Sequence, residues 1–284
     1  MQTRRVVAVV VVLGLFLAIG GAALAVDYPR VSPKASLSQT VGVTDVTIAY
    51  CRPSVKGRVI WGGLVPFDQV WRTGANEATT ITFSDDVTIE GTKLPAGTYG
   101  LFTIPGRSEW TFVFNKGAKQ WGAYSYKAED DVLRIKAKPQ TTEFTELLTF
   151  CFRGVGATSA QVELAWDTLA VTFTLNVDTL GKVLPQARAA VAEAKPDDSR
   201  TPLQAAMFCL DNNVNLDEAG AWIEKSIAVK ETMYNLAAKA RLLAAKGQKA
   251  DAIATAKRAI AVGKAANPNA DTAMVDALIA DWSK

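Results

Sequence analysis

Between Arg52 and Glu77 the sequence gathers four cations, Arg52, Lys56, Arg58 and Arg72, and two tryptophans, Trp61 and Trp71, against only two acids, Asp68 and Glu77. A guanidinium is a planar fork of donors that grips a carboxylate or phosphate at two points, and an indole face stacks on sugars, bases or cations. The mixture suits a small anionic or saccharide ligand, or the end of a peptide. In that reading Arg52, Arg58 and Arg72 take the anionic part, Trp61, Trp71 and Trp121 supply stacking surface, and Asn76 and Glu77 fix the orientation. The competing reading is structural: Arg58 or Arg72 pairs with Glu77, and the tryptophans fill a core. A third makes Glu77 one half of a hydrolase or lyase with Asp68 or a distant acid, which requires the two carboxylates roughly 5–10 Å apart. A single carboxylate among arginines is ionised and paired rather than poised as an acid, so the residues favour a non-catalytic role.

A second aromatic group, Trp121, Tyr124 and Tyr126, follows Asn115 and Lys116, with Gly117 and Gly122 between them. Glycines beside aromatics allow a ligand to approach closely, and they equally mark strand-to-loop corners. Other chemistry is excluded by composition. The chain has no histidine, which removes Ser-His-Asp and Cys-His catalysis and every histidine-containing zinc or haem site. Three cysteines, Cys51, Cys151 and Cys209, follow no metal-binding spacing, and an odd number cannot all pair within one chain. Cys51 and Cys151 each fall on an expected strand, opposite in face to Tyr50 and Phe150. A disulfide between them and two small buried thiols are the alternatives. Cys209, beside Met207 and Leu210, reads as core filler in a helix. No metal or organic cofactor is expected.

The compartment is read from the first residues. Arg4 and Arg5, the apolar run Val6 to Ile19 and Ala23-Leu24-Ala25 form the three parts of a secretory signal over residues 1–25. The apolar run is shorter than the roughly 20 residues that span a bilayer, so cleavage after Ala25 is expected rather than anchoring, and the product is periplasmic or secreted. With 31 Lys+Arg and 28 Asp+Glu the net charge is +3, two units of which belong to that leader. Such a balance provides no basic field for nucleic acid. No later segment is long and apolar enough to cross a membrane.

Two periods organise the rest. From about residue 35 to 178 apolar residues alternate: Val46, Ile48, Tyr50; Trp110, Phe112, Phe114; Leu148, Phe150, Phe152; Val162, Leu164, Trp166; Val171, Phe173, Leu175, Val177. Turn residues punctuate them at Glu90-Gly91, Pro95-Ala96-Gly97, Pro105-Gly106, Asn115-Lys116-Gly117 and Gly154 to Thr158. Residues 26–178 therefore read as an all-β antiparallel sandwich, or a barrel-like sandwich, with a long irregular loop between the strands ending near Cys51 and starting near Thr79. Residues 179–284 have helical periodicity and abundant alanine. Thr201-Pro202-Leu203-Gln204 and Asn215 with Glu218 read as capping boxes, Gly247 as a helix stop, and Asn267-Pro268 as the break between the last two helices. Asp217-Glu218-Ala219 and Lys225-Ser226-Ile227 recur, at an offset of 33 residues, as Ala250-Asp251-Ala252 and Arg258-Ala259-Ile260. That period is close to the roughly 34 residues of tetratricopeptide hairpins, and a plain helical bundle is the alternative. Because about three such repeats are needed for independent stability, the tail is expected to lean on the β domain or on a protein partner.

The segments Pro29 to Ser36, Tyr50-Cys51-Arg52-Pro53, Lys56 to Gly62, Val65-Pro66, Val70 to Thr79, Leu94 to Tyr99 and Gln120-Trp121-Gly122 resemble the bacterial domain-of-unknown-function family 2911 (DUF2911) over about residues 28 to 178. The run Asn212 to Ala219 resembles the tails of its longer members. At Cys51 many relatives have serine, which weakens any family-wide disulfide. The resemblance implies an exported β domain and supplies no activity. Three functions stand: a periplasmic binding or adaptor module whose helical tail contacts another protein, a carboxylate hydrolase or lyase using Glu77, and a structural component of an envelope assembly. The first is the reading adopted from the sequence.

Overall fold

The computed structural model describes residues 28–284, so the expected leader and its cleavage position lie outside the described residues. Ten strands come first: β1 (Lys34–Val41), β2 (Thr44–Cys51), β3 (Thr80–Phe83), β4 (Val87–Ile89), β5 (Thr92–Leu94), β6 (Gly97–Ile104), β7 (Trp110–Asn115), β8 (Asp131–Ala137), β9 (Gln140–Arg153) and β10 (Ser159–Val177). They form a six-stranded sheet in the order β1-β2-β3-β6-β7-β8 and a four-stranded sheet in the order β5-β4-β10-β9. Every pairing is antiparallel. Both sheets end in open edges, so the sandwich forms and the barrel variant does not.

Alternation drives this packing. On β2, Val46, Ile48 and Tyr50 face inward and are buried. Across the interior, Phe173 of β10 meets Phe112 and Phe114 of β7 edge-on at 5.0 and 5.6 Å between ring centroids. Tyr50 meets Phe150 of β9 at 4.9 Å, and its hydroxyl accepts the Phe150 amide at 3.1 Å. Aromatic pairs of this geometry add about 0.5–1.5 kcal/mol to the area they bury. The last two apolar sets of the sequence, even-numbered to Trp166 and odd-numbered from Val171, belong to one strand. A bulge around Asp167, whose φ is +57°, shifts the register and changes the parity that faces the core.

The helices are α1 (Thr179–Glu193), α2 (Arg200–Asp211), α3 (Leu216–Val229), α4 (Met233–Ala245), α5 (Lys249–Ala266) and α6 (Ala273–Trp282). They bury two apolar clusters of their own, closed largely by Ala206, Ala219, Ala238, Ala240, Ala256 and Ala259. The 33-residue offset is visible in space: Ala219 and Ser226 of α3, and Ala252 and Ala259 of α5, are all fully buried. Among the described residues no apolar cluster includes both strands and helices. Polar ties do cross: Lys182 pairs with Asp85, and the Thr179 hydroxyl donates to the Ala157 carbonyl. The expected leaning on the β domain thus has no apolar interface.

Two caps differ from expectation. Asp198, not Thr201, caps α2, its carboxylate accepting from the amides of Arg200 and Thr201 and from the Thr201 hydroxyl. Asn215 precedes α3 in a left-handed conformation with no side-chain bond. The full capping box lies instead at Thr232 and Asn235 before α4. Gly247 (φ +80°) follows α4, and Asn267-Pro268 separates α5 from α6, as expected. Among the described residues no helix is long and apolar enough to cross a membrane.

Candidate functional site

Residues 52–79 contain no strand and are fastened by isolated bridges, Ser54 with Leu147 of β9 and Trp71 with Thr103 of β6, and Glu77 with Trp121 in the loop between β7 and β8. Trp71 and Thr103 exchange backbone hydrogen bonds of 2.8 and 2.9 Å, and the Thr79 hydroxyl donates to the Thr73 carbonyl at 2.7 Å. Among the described residues, four of the eight non-glycine residues with left-handed backbone, Lys56, Asp68, Thr73 and Asn76, lie here. Each such conformation costs on the order of 1–3 kcal/mol and persists only where its surroundings hold it. Thr73, β-branched and fully buried, is held with its hydroxyl 3.2 Å from Thr103 Oγ1.

The tryptophans turn inward. Trp61 lies 5.9, 4.7 and 5.7 Å from Trp71, Trp110 and Trp166, and Trp71 stacks on Trp166 at 5.8 Å. Trp71 Nε1 donates to the Gly74 carbonyl at 3.1 Å. Trp61 is partly buried, packed against the core, and lines no part of the cleft of about 410 Å³ that Trp71 and Trp166 border with Lys56, Arg58, Arg72 and Asn76. Among the described residues no carboxylate lines this cleft and none lies within ion-pair distance of its three cations. Arg58 donates to the carbonyls of Val55 and Ser54, and Asn76 donates to the Ser32 carbonyl at 3.3 Å. Arg72 Nε, Trp166 Nε1 and Trp61 Nε1 are buried without a hydrogen-bond partner. Orphaned donors of this kind are rare and costly.

Glu77 faces elsewhere. Its carboxylate receives Arg30 Nη1 at 2.9 and 2.7 Å, lies 3.2 Å from Lys34 Nζ, and accepts the Cys51 thiol at 3.5 Å. The partners are Arg30 and Lys34, not Arg58 or Arg72, and the Arg30 guanidinium foremost holds the carboxyl down to about 2. Such a group is ionised and occupied, unsuited to donating a proton. Neither cation stood out in the sequence, because both precede the loop; their only signal is their place in the resembling segment Pro29 to Ser36. Glu77, Lys34, Cys51, Lys119, Gln120 and Trp121 border a second cleft of about 510 Å³.

The eight expected residues are thus divided. Arg58, Trp71, Arg72 and Asn76 line the first cleft, and Glu77 and Trp121 the second. Arg52 lines neither; its guanidinium is bound to the Leu148 carbonyl and the Thr149 hydroxyl at 2.9 and 2.6 Å, tying the loop to β9. Asp68 lines neither cleft as well. The disulfide weighed for Cys51 and Cys151 is not formed: both are free thiols, one in each sheet, directed to different carboxylates, Glu77 and Glu163. Burial pushes both thiols up. Cys209 is fully buried in the helical core. Among the described residues no three acidic or cysteine side chains gather as metal ligands.

The model of a family described as "Protein of unknown function (DUF2911)" matches residues 32–175, from just before β1 nearly to the end of β10. No curated protein and no solved structure matches the chain.

Proposed function

The chain belongs to the DUF2911 family, and since that description carries no activity, we propose from the clefts that it is a periplasmic or secreted binding or adaptor module. In this reading residues 1–25 are a cleaved signal, residues 26–178 hold a small anionic ligand, and residues 179–284 contact another protein. One observation carries the reading: Lys56, Arg58 and Arg72 line one cleft that, among the described residues, no carboxylate lines. Like charges so placed repel one another, and an anion relieves that repulsion. A phosphate or carboxylate meets the guanidinium fork at two points, which a neutral saccharide does not. The hydrolase reading is less supported, because Glu77 is held by Arg30 and Lys34 and Asp68 lines neither cleft.

The test is thermal unfolding of the full chain against phosphate, sulfate, short carboxylic acids and peptides, beside Arg72→Ala. A ligand at about 100 times its Kd adds roughly 2.7 kcal/mol of stability. The expected result is a midpoint rise that Arg72→Ala abolishes. No rise with any anion would overturn the reading and leave the structural envelope component in its place.

A further inference from the structure

We propose that the cleft beside Trp121 is a separate site for a planar aromatic carboxylate. Three observations point to that ligand. First, the Trp121 side chain is exposed, at 58%, yet its backbone is fixed. It forms a β-bridge with Glu77, and the flanking bonds from Gly122 N to the Asn76 carbonyl (2.9 Å) and from Ala78 N to the Gln120 carbonyl (3.0 Å) fasten its loop to the segment that leads into β3. The backbone thus places the indole at the border of the cleft, and a flat ring gains most by stacking on it.

Second, the floor is apolar and low. Alternation on β2 turns Ile48 and Tyr50 into the core, so the outer face presents Ala49 and Cys51, with Thr80 of β3 directly paired to Ala49. These short side chains leave a cleft of about 510 Å³, enough for a fused two-ring system. Over this floor a saccharide would set hydroxyls against alanine and a thiol that already donates to Glu77, so its polar partners would be confined to the rim, where Gln120 Oε1 is buried without a donor. A flexible acyl chain would leave the indole face without a matching plane.

Third, the rim is cationic. Lys34 and Lys119 line the cleft, and the one carboxylate there, Glu77, is already shared by Arg30 and Lys34. Among the described residues Lys119 has no acidic partner within ion-pair distance. The charge left over asks for an anionic group at the edge of the ring, whereas an aromatic amine would be repelled.

Calorimetric titration of the full chain with 2-naphthoate tests this, with 2-naphthylmethanol and glucuronate as the neutral and saccharide arms. We expect one saturable site for 2-naphthoate. Trp121→Ala should weaken it about ten-fold or more, and Lys119→Glu about five-fold. Thr80→Trp, which fills the cleft, should abolish it. Trp121 and Lys119 are exposed, so their variants keep the test valid if Thr80→Trp fails to fold. Arg58→Ala, in the other cleft, should leave the affinity within about two-fold, so this site and the anion site fail separately. The proposal is overturned if wild type shows no saturable binding, if Trp121→Ala binds as wild type does, or if glucuronate or the neutral alcohol binds as tightly as 2-naphthoate.

Discussion

The strand region and the helical region solve the same problem with opposite side chains. The sandwich has one large core filled by big rings, among them Trp110, Trp166, Phe112 and Phe173, each about fully buried. The helices have two smaller cores in which alanines such as Ala206, Ala240, Ala256 and Ala259 let the backbones come close. The difference teaches where each is fragile. A ring-filled core suffers when volume is removed, and an alanine-closed one suffers when volume is added. With no apolar cluster common to both, the two are expected to unfold as separate transitions.

The sharpest way to break that comparison is Trp110→Ala. Its ring, 1% exposed and 4.7 Å from Trp61, anchors the tryptophan cluster, and its loss should cost about 3–5 kcal/mol. Calorimetry should show the sandwich transition falling while the helical one stays; an equal fall of both would make the molecule one cooperative unit. The converse, Ala256→Leu in α5, a fully buried position, should lower only the helical transition, by about 1–3 kcal/mol. A stabilising effect there would mean that the helical core holds unfilled space.

The smallest effect sharpens the comparison through pH. Glu77 has its carboxyl at about 2 in the folded protein against 4.5 for an ordinary glutamate. The carboxylate is better held folded than unfolded, so its contribution is complete above about pH 4.5 and is lost as pH falls through about 2. Arg30 and Glu77 are each a little over a third exposed and Lys34 more so, so the contribution is modest. Glu77→Gln should flatten the acid limb of the sandwich transition and leave that of the helices unchanged, read from melting midpoints across pH 2–5.

Much of this architecture was legible in the alternation of Val46, Ile48 and Tyr50 or of Trp110, Phe112 and Phe114, because a half-buried strand leaves its period in the chain. The continuity of β10 was not, since the bulge at Asp167 changes parity and makes one strand look like two. The Arg52 to Glu77 loop was recognisable as a place of unusual chemistry, but composition carries no direction. Nothing local states that Trp61 packs against the core, that Arg52 is taken by β9, or that Asn76 and Glu77, adjacent in the chain, line different clefts. Arg30 was invisible because its partner lies 47 residues away.

The left-handed turns at Lys56, Asp68, Thr73 and Asn76 have a consequence for recognition. A wall held in one shape by bonds to the sandwich loses little freedom when a molecule settles against it, and it also yields little. Selectivity along this loop is then that of a mould: a guest of the right outline is accepted without rearrangement, and one of the wrong outline is turned away rather than accommodated.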